Sequence, residues 1–377
     1  MRRTPNFISL PGMKNRPSTY RKQLIAMAAL CVPIILLSWF QNYPYAVERF
    51  YSSGFYRGIN YIIRPVVNVV PFSIGDFFYT VIIILLLSGI YRFFHAVFKG
   101  RFKIAGQFVL RLIIGLQIGW LWFYTLWGTN YYRPPAAELL HLTDTSYTLK
   151  DVADVAGRII DSANTLRATL DSADLKQPND TIYVRALSAV NDLGTTSPKM
   201  KPVWDRAKPS MYSHLLNYVG TSGYYNPFTA EAQINYLMPL HDRPFVSCHE
   251  MAHQTGWARE DEANFAGYVA GIRSPDRLLK YSSYFAGVEE FMRYLRRRDT
   301  VAYKDLRSRI SPLVVGDFKA DSAYWTKYQG PAEAVSSLFF DKFLKANNQP
   351  HGLRTYNRMI RLTMAYYRKP PDPLKGE

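Results

Sequence analysis

The sequence predicts a mainly α-helical protein in two parts. A three-helix transmembrane N-terminal region precedes a mostly helical soluble domain with a small β-sheet. Three observations lead there. Three apolar runs crowd the first third of the chain, apolar residues recur at helical spacing beyond it, and only one short segment alternates like a strand.

The apolar runs come first. Leu24 to Phe40 carries no charge, Phe77 to Tyr91 extends to Phe98 past Arg92, and Leu112 to Trp127 extends back to Ile104 past Arg111. With these flanks each reaches the ~20 residues a helix needs to span a bilayer. The predicted spans are 24–41, 76–98 and 104–127, within a membrane region of 24–130. Trp39, Trp120, Trp122 and Trp127 gather at the run ends, where interfacial aromatics collect. The first run is not a cleavable signal, because Trp39-Phe40-Gln41 offers no small-residue cleavage site.

Charge orients these spans. The chain has a net charge of +17, of which +12 lies before Gly128, where fourteen Lys or Arg face only Glu48 and Asp76. A basic excess beside apolar runs points to membrane topology and away from nucleic acid. The basic tail 1–23 holds Arg2, Arg3, Lys14, Arg16, Arg21 and Lys22. The loop between the second and third runs holds Lys99, Arg101 and Lys103, whereas the longer first loop has only Arg49, Arg57 and Arg64. The positive-inside rule puts the tail in the cytoplasm and, after three spans, residues 131–377 on the other side.

The soluble part opens with Tyr131-Tyr132-Arg133-Pro134-Pro135, a helix-stopping linker. Val152, Val155, Ile159, Ala163, Leu166 and Leu170 then recur at helical spacing behind a Thr148/Asp151 capping pair. Ala332–Lys345 and Tyr356–Arg368 read as amphipathic helices, and Arg296-Arg297-Arg298 as a solvated helix end. Ala230 to Tyr236 alternates with period two and reads as a strand, preceded by a turn-rich Gly223 to Phe228. An exposed strand edge there would hold an extended peptide through its backbone. Cys31 and Cys248 are too unlike in setting to form a disulfide framework, and Cys248 reads as a small buried residue.

One pentad names a reaction class. His249-Glu250-Met251-Ala252-His253 has the form H-E-x-x-H, which on a helix puts two imidazoles on one face with a carboxylate beside the first. That supplies two zinc ligands, His249 and His253, and a general base, Glu250. The competing reading is a polar helix face with two ordinary histidines. A catalytic zinc takes three protein ligands and keeps one position open. The place of a third histidine in the longer metzincin motif is Arg259, which binds no metal. Glu260 is the expected third ligand. On an unbroken helix it would lie about 10 Å past His253 at 1.5 Å per residue, so the chain must bend, and Gly256 permits it. A second helix starting near Arg259 would set Glu260 and Asn264 on one face, with Asn264 bracing a ligand histidine. Glu262 is the main rival, with Glu289, Glu290 and Glu333 more distant. His241, Tyr224, Tyr225 and Tyr268 are candidates to stabilise an oxyanion.

Glu260-Asp261-Glu262-Ala263-Asn264 after the H-E-x-x-H helix resembles the gluzincin pattern, though the gap from His253 to Glu260 is short for that group. The wider run from Gly223 through Phe265, with Phe343-Leu344-Lys345-Ala346-Asn347, resembles a family of uncharacterised bacterial membrane proteins. That family is catalogued as a domain of unknown function within the zincin metallopeptidase group. The resemblance implies Zn2+ and a helical zincin-like soluble domain, in a multi-pass protein of a bacterial inner membrane whose C-terminal domain is periplasmic. The expected function is a membrane-anchored zinc metallopeptidase acting on a peptide or protein substrate, with the lipid bilayer as its other partner and no nucleic acid. The alternative is a membrane-tethered binding or envelope-organising protein with a structural or vestigial zinc site. Against that stands Glu250, because a structural site needs no general base.

Overall fold

The computed structural model describes residues 19–144, 146–350, 352 and 359–368. The basic tail up to residue 18, and positions 356–358 at the start of the expected last helix, lie outside them. The described chain is mainly helical with one three-stranded sheet, as the patterning predicts.

Among the described residues, three helices are long and apolar enough to cross a membrane: Thr19–Phe40, Ile74–Phe98 and Phe102–Leu126. Each begins within a few residues of its predicted span. Almost none of their apolar surface is buried by protein, so composition rather than packing makes these elements. The described residues up to Ser38, with Ile83–Leu121, form one compact unit. Within it the few polar groups bond across helices: Tyr20 donates to the Lys103 carbonyl at 2.9 Å and Gln117 to the Met27 carbonyl at 3.1 Å.

Trp39–Ile82 and the described residues from Trp122 onward form the second unit. Sequence patterning assigns residues 42–75 to the membrane region as a loop. The structure folds much of that segment into a π-helix, Val47–Phe55, running into an α-helix, Tyr56–Asn68. These share an apolar cluster with Trp127, Tyr131, Tyr225 and Ala258, which is why so basic and aromatic a loop has buried members.

The sheet orders as β1 (Ala207–Pro209), β3 (Glu231–Ile234), β2 (Gly223–Asn226). β3 is parallel to β1, with Ala207 opposite Ala232, and antiparallel to β2, with Tyr225 opposite Ala232. The predicted strand is therefore present but central. The edge strand is β2, in the segment expected to be only turn, where Tyr224 and Tyr225 suit a pleated surface. Glu231 leaves β3 to accept the backbone N–H groups of Ile74 at 3.1 Å and Gly75 at 2.5 Å. A carboxylate at a helix N-terminus satisfies orphan donors and complements the dipole.

The main core is helical. Leu149–Thr169 starts with the expected capping box, in which Thr148 accepts from the Asp151 backbone and Asp151 accepts from that of Thr148. It packs on Arg277–Arg298, whose last three arginines are exposed. Behind the sheet lie Arg243–Gln254, which carries the pentad and is called the site helix below, and Glu260–Arg273. The two approach closely at Gly267, where a Cβ would sit 3.0 Å from the His249 backbone nitrogen and 3.2 Å from its Cα. Backbone cannot swing aside as a side chain does. Gly267→Ala is therefore expected to destabilise the solubilised chain by about 1–3 kcal/mol, the usual range for overpacking. A lowered thermal midpoint checks this, and an unchanged one would contradict the tight crossing.

Candidate metal centre

The site helix ends at Gln254, and Gly256 adopts φ +93°, a left-handed conformation that glycine takes without a Cβ clash. The Gly256 N–H returns to the His253 carbonyl at 3.0 Å and the Trp257 N–H to that of Ala252 at 3.2 Å. This pair of bonds is a Schellman ending. The chain then reverses, Arg259 stands before the next helix, and Glu260 becomes its first residue. The bend expected at Gly256 is where the structure makes it.

The reversal brings three side chains together. Nε2 of His249 and Nε2 of His253 are 3.1 Å apart. Glu260 Oε2 lies 3.3 Å from the first and 3.6 Å from the second. Three ligands at tetrahedral positions around zinc, each 2.0–2.1 Å away, stand about 3.3 Å from one another. The donor set and its spacing fit that ion without movement. The Glu250 carboxylate is beside this triangle, within 4.8 Å of both imidazole ligand atoms.

Electrostatics agree with the geometry. Burial alone would lower the His253 imidazole and raise the Glu260 carboxyl. The attraction between them outweighs burial, pushing His253 up to about 9 and holding Glu260 well below the usual carboxylate range. The triangle thus concentrates affinity for positive charge. For Glu250, burial dominates over the nearby imidazoles and pushes its carboxyl up to about 6. Its Oε2 is buried with no hydrogen-bond partner, a poised and unspent acceptor.

The tautomer of His253 follows from its other nitrogen. Nδ1 lies 2.7 Å from the Trp257 carbonyl, which only accepts, so Nδ1 carries the proton and Nε2 presents a lone pair to the triangle. Asn264 was expected to brace a ligand histidine, but it makes no such bond. It lies on the expected helix face, yet lines the cleft instead. The bracing group is a backbone carbonyl delivered by the turn. Glu262, the rival ligand, accepts the Ala136 N–H at 2.8 Å and so fastens the linker after the third span. Cys248 lies against the Ala186 carbonyl at 3.9 Å, buried and apart from the triangle.

A cleft of about 770 Å³ opens over the triangle, lined by His249, Glu250, His253 and Glu260 and walled by aromatics. Residues 222–225, including all but the last residue of edge strand β2, form part of its wall. A Cβ at Gly223 would lie 2.9 Å from Glu250 Oε1. Of the oxyanion candidates, Tyr224 and Tyr225 line the cleft, but their hydroxyls are engaged by Asp76 and Tyr56. Tyr268 is buried in the core, bonded to the Tyr367 hydroxyl at 2.8 Å, and His241 packs edge-on against Phe285. Neither reaches the cleft. The tyrosine that sequence reasoning missed is Tyr131, treated there as linker. It lines the cleft, feels the Glu260 charge, and its hydroxyl has no hydrogen-bond partner among the described residues. Its signal was position: an aromatic immediately after the last span.

No curated protein and no solved structure matches this sequence. A family model does, over residues 51–364, and with most of its length covered the chain belongs to the family described as "Protein of unknown function (DUF3810)".

Proposed function

We propose that this protein is a membrane-anchored zinc metallopeptidase of the H-E-x-x-H plus Glu type. The observation that carries the reading is the triangle of His249 Nε2, His253 Nε2 and Glu260 Oε2, with sides of 3.1, 3.3 and 3.6 Å, beside an unpartnered Glu250. Two imidazoles and one carboxylate are a catalytic rather than a structural donor set, because a coordination position stays open. When bound, zinc would supply a Lewis acid that polarises a carbonyl and acidifies water.

The chain's own residues do the rest. Glu250 takes a proton from the attacking water and returns it to the leaving amine; its raised affinity for protons suits both halves of that task. The Tyr131 hydroxyl donates to the carbonyl oxygen as charge develops there. The free edge of β2 accepts an extended peptide by backbone hydrogen bonding. The aromatic walls exclude water and strengthen each polar contact. A structural or vestigial zinc would leave a buried, unpaired Glu250 without purpose, and burying such a group is costly.

The membrane reading rests on the three apolar helices and on the lysines and arginines flanking them. The protein crosses a bacterial inner membrane with its N-terminus in the cytoplasm and its soluble unit in the periplasm.

Metal content and peptide cleavage, measured on the full solubilised chain, test the reading. Glu250→Gln is expected to keep one zinc and lose about 10²- to 10⁴-fold in turnover, the usual contribution of a positioned base. Glu260→Gln is expected to lose the metal, and Glu262→Gln to keep it. Full cleavage by Glu250→Gln would end the mechanism, and the opposite metal pattern would move the third ligand. Tyr131→Phe is expected to retain zinc and to lower kcat about 10²-fold or more, as loss of one oxyanion donor does, with little change in KM. An unchanged kcat removes Tyr131 from the chemistry. A reporter enzyme that works only outside the cytoplasm, fused after Glu377, is expected to be active; silence there, with activity of a cytoplasmic reporter, would reverse the topology.

A further inference from the structure

The cleft does not end at the triangle. A second cavity of about 560 Å³ adjoins it, and Gly220, Ser222, Phe245, Val246 and Asn264 line both. Its walls carry five carboxylates, Asp242, Glu289, Glu290, Asp321 and Glu333, against one cation, Arg293. They arrive from three helices and the residue that precedes the site helix. In a chain of net charge +17 such a concentration of acid is a local feature.

We propose that this acidic branch is a subsite for a positively charged group of the substrate, an ammonium or a guanidinium on a peptide. The proposal rests on the peptidase reading of the adjoining triangle. It adds the chemical class that the enzyme selects.

Internal pairing leaves the branch unsatisfied. Arg293 is taken by its own helix neighbours, with Glu289 against one nitrogen and Glu290 Oε1 2.9 Å from another. Glu290 is only 9% exposed, yet its Oε2 is buried with no partner. Asn264, 7% exposed, lines both cavities, and its side chain makes no hydrogen bond among the described residues. A buried carboxylate oxygen without a donor is costly, and a ligand that brings donors removes the cost. Burial, ahead of the opposing attraction of Arg293, pushes the Glu290 carboxyl up to about 7. Burial and then Asp321 likewise raise the Asp242 carboxyl. Both shifts express missing positive charge.

A bare metal ion does not fit the branch. Among the described residues, the histidine and carboxylate groups whose ligand atoms converge in threes lie at the triangle and not in the branch. The five carboxylates are spread around a cavity large enough for a long side chain. Lysine or arginine fills such a space with its aliphatic stem and carries the charge to the acids.

The test uses the full chain in detergent and separates binding from turnover. Fluorescein-labelled hexapeptide pools, random except for lysine or norleucine fixed at each position in turn, are titrated against Glu250→Gln. At one position the lysine pool is expected to bind at least tenfold tighter than the norleucine pool. Adding Glu290→Gln and Asp321→Asn is expected to shrink that preference below twofold while norleucine binding stays unchanged, which shows that the cleft still folds. Should norleucine binding fall too, the partly exposed Glu333→Gln replaces the pair, and it too must reduce the lysine preference. Equal binding at every position, no binding of any pool, or a preference that survives these changes overturns the subsite. The peptidase reading fails separately: wild-type protein would then prefer the lysine pool and cleave none of it. Cleavage without any preference for lysine would sink the subsite alone.

Discussion

The site depends on how the C-terminal end of its helix is capped. A helix leaves its last carbonyls without partners, and burying them demands donors from elsewhere. Here the His253 carbonyl receives Trp127 Nε1 at 3.2 Å, that of Gln254 receives Tyr56 Oη at 2.8 Å and the Arg64 guanidinium, and that of Gly256 receives Arg133 Nη1 at 3.0 Å. Two of the four donors are cations, which also favour the negative end of the helix dipole. Each is held in turn. Arg64 pairs with buried Asp205, while Arg133 pairs with Glu48 at 2.7 Å and lies 4.2 Å over the Trp257 ring. Breaking a buried pair of this kind costs about 3–5 kcal/mol, because the remaining charge is stranded. The position of His253, and through the Gly256 turn that of Glu260, is set by this cap.

The donors come from around the apolar helices, not from the rest of the soluble domain. Tyr56 and Arg64 lie between the first and second; Trp127 and Arg133 directly follow the third. The segment beyond Pro134 is therefore not self-sufficient, since on its own it would bury the end of the site helix without partners. The matched family region likewise starts at residue 51, ahead of two of the apolar helices. The segments flanking the apolar helices and the triangle of His249, His253 and Glu260 belong to one compact unit.

Local rules made much of this legible in the sequence. Apolar runs of bilayer length marked the three long helices, Thr148 and Asp151 marked a helix start, and helical spacing plus Gly256 pointed to Glu260. What stayed hidden depends on partners far apart in the chain. Tyr56 and Arg64 looked like loop residues because the Gln254 carbonyl they serve is at least 190 positions away, and Glu48 because its partner Arg133 is 85 positions away. The brace on His253 is a backbone carbonyl, which no side-chain pattern announces, so Asn264 was cast in that part wrongly. β2 was hidden by Gly223 and Pro227, and Tyr268 and His241 by the fact that an aromatic near a motif carries no sign of its depth. The acidic branch draws its carboxylates from three helices and the residue before the site helix, spread from Asp242 to Glu333, and no window of sequence contains it.

The central claim is that this capped turn presents two imidazoles and one carboxylate to a single metal ion. X-ray absorption at the zinc edge, on the full chain loaded with one equivalent of zinc, measures that directly. The account predicts two imidazole nitrogens and oxygen completing the first shell, with no sulfur scatterer and with one imidazole lost in His253→Ala. A sulfur ligand from Cys248, or a spectrum unchanged in His253→Ala, would contradict it.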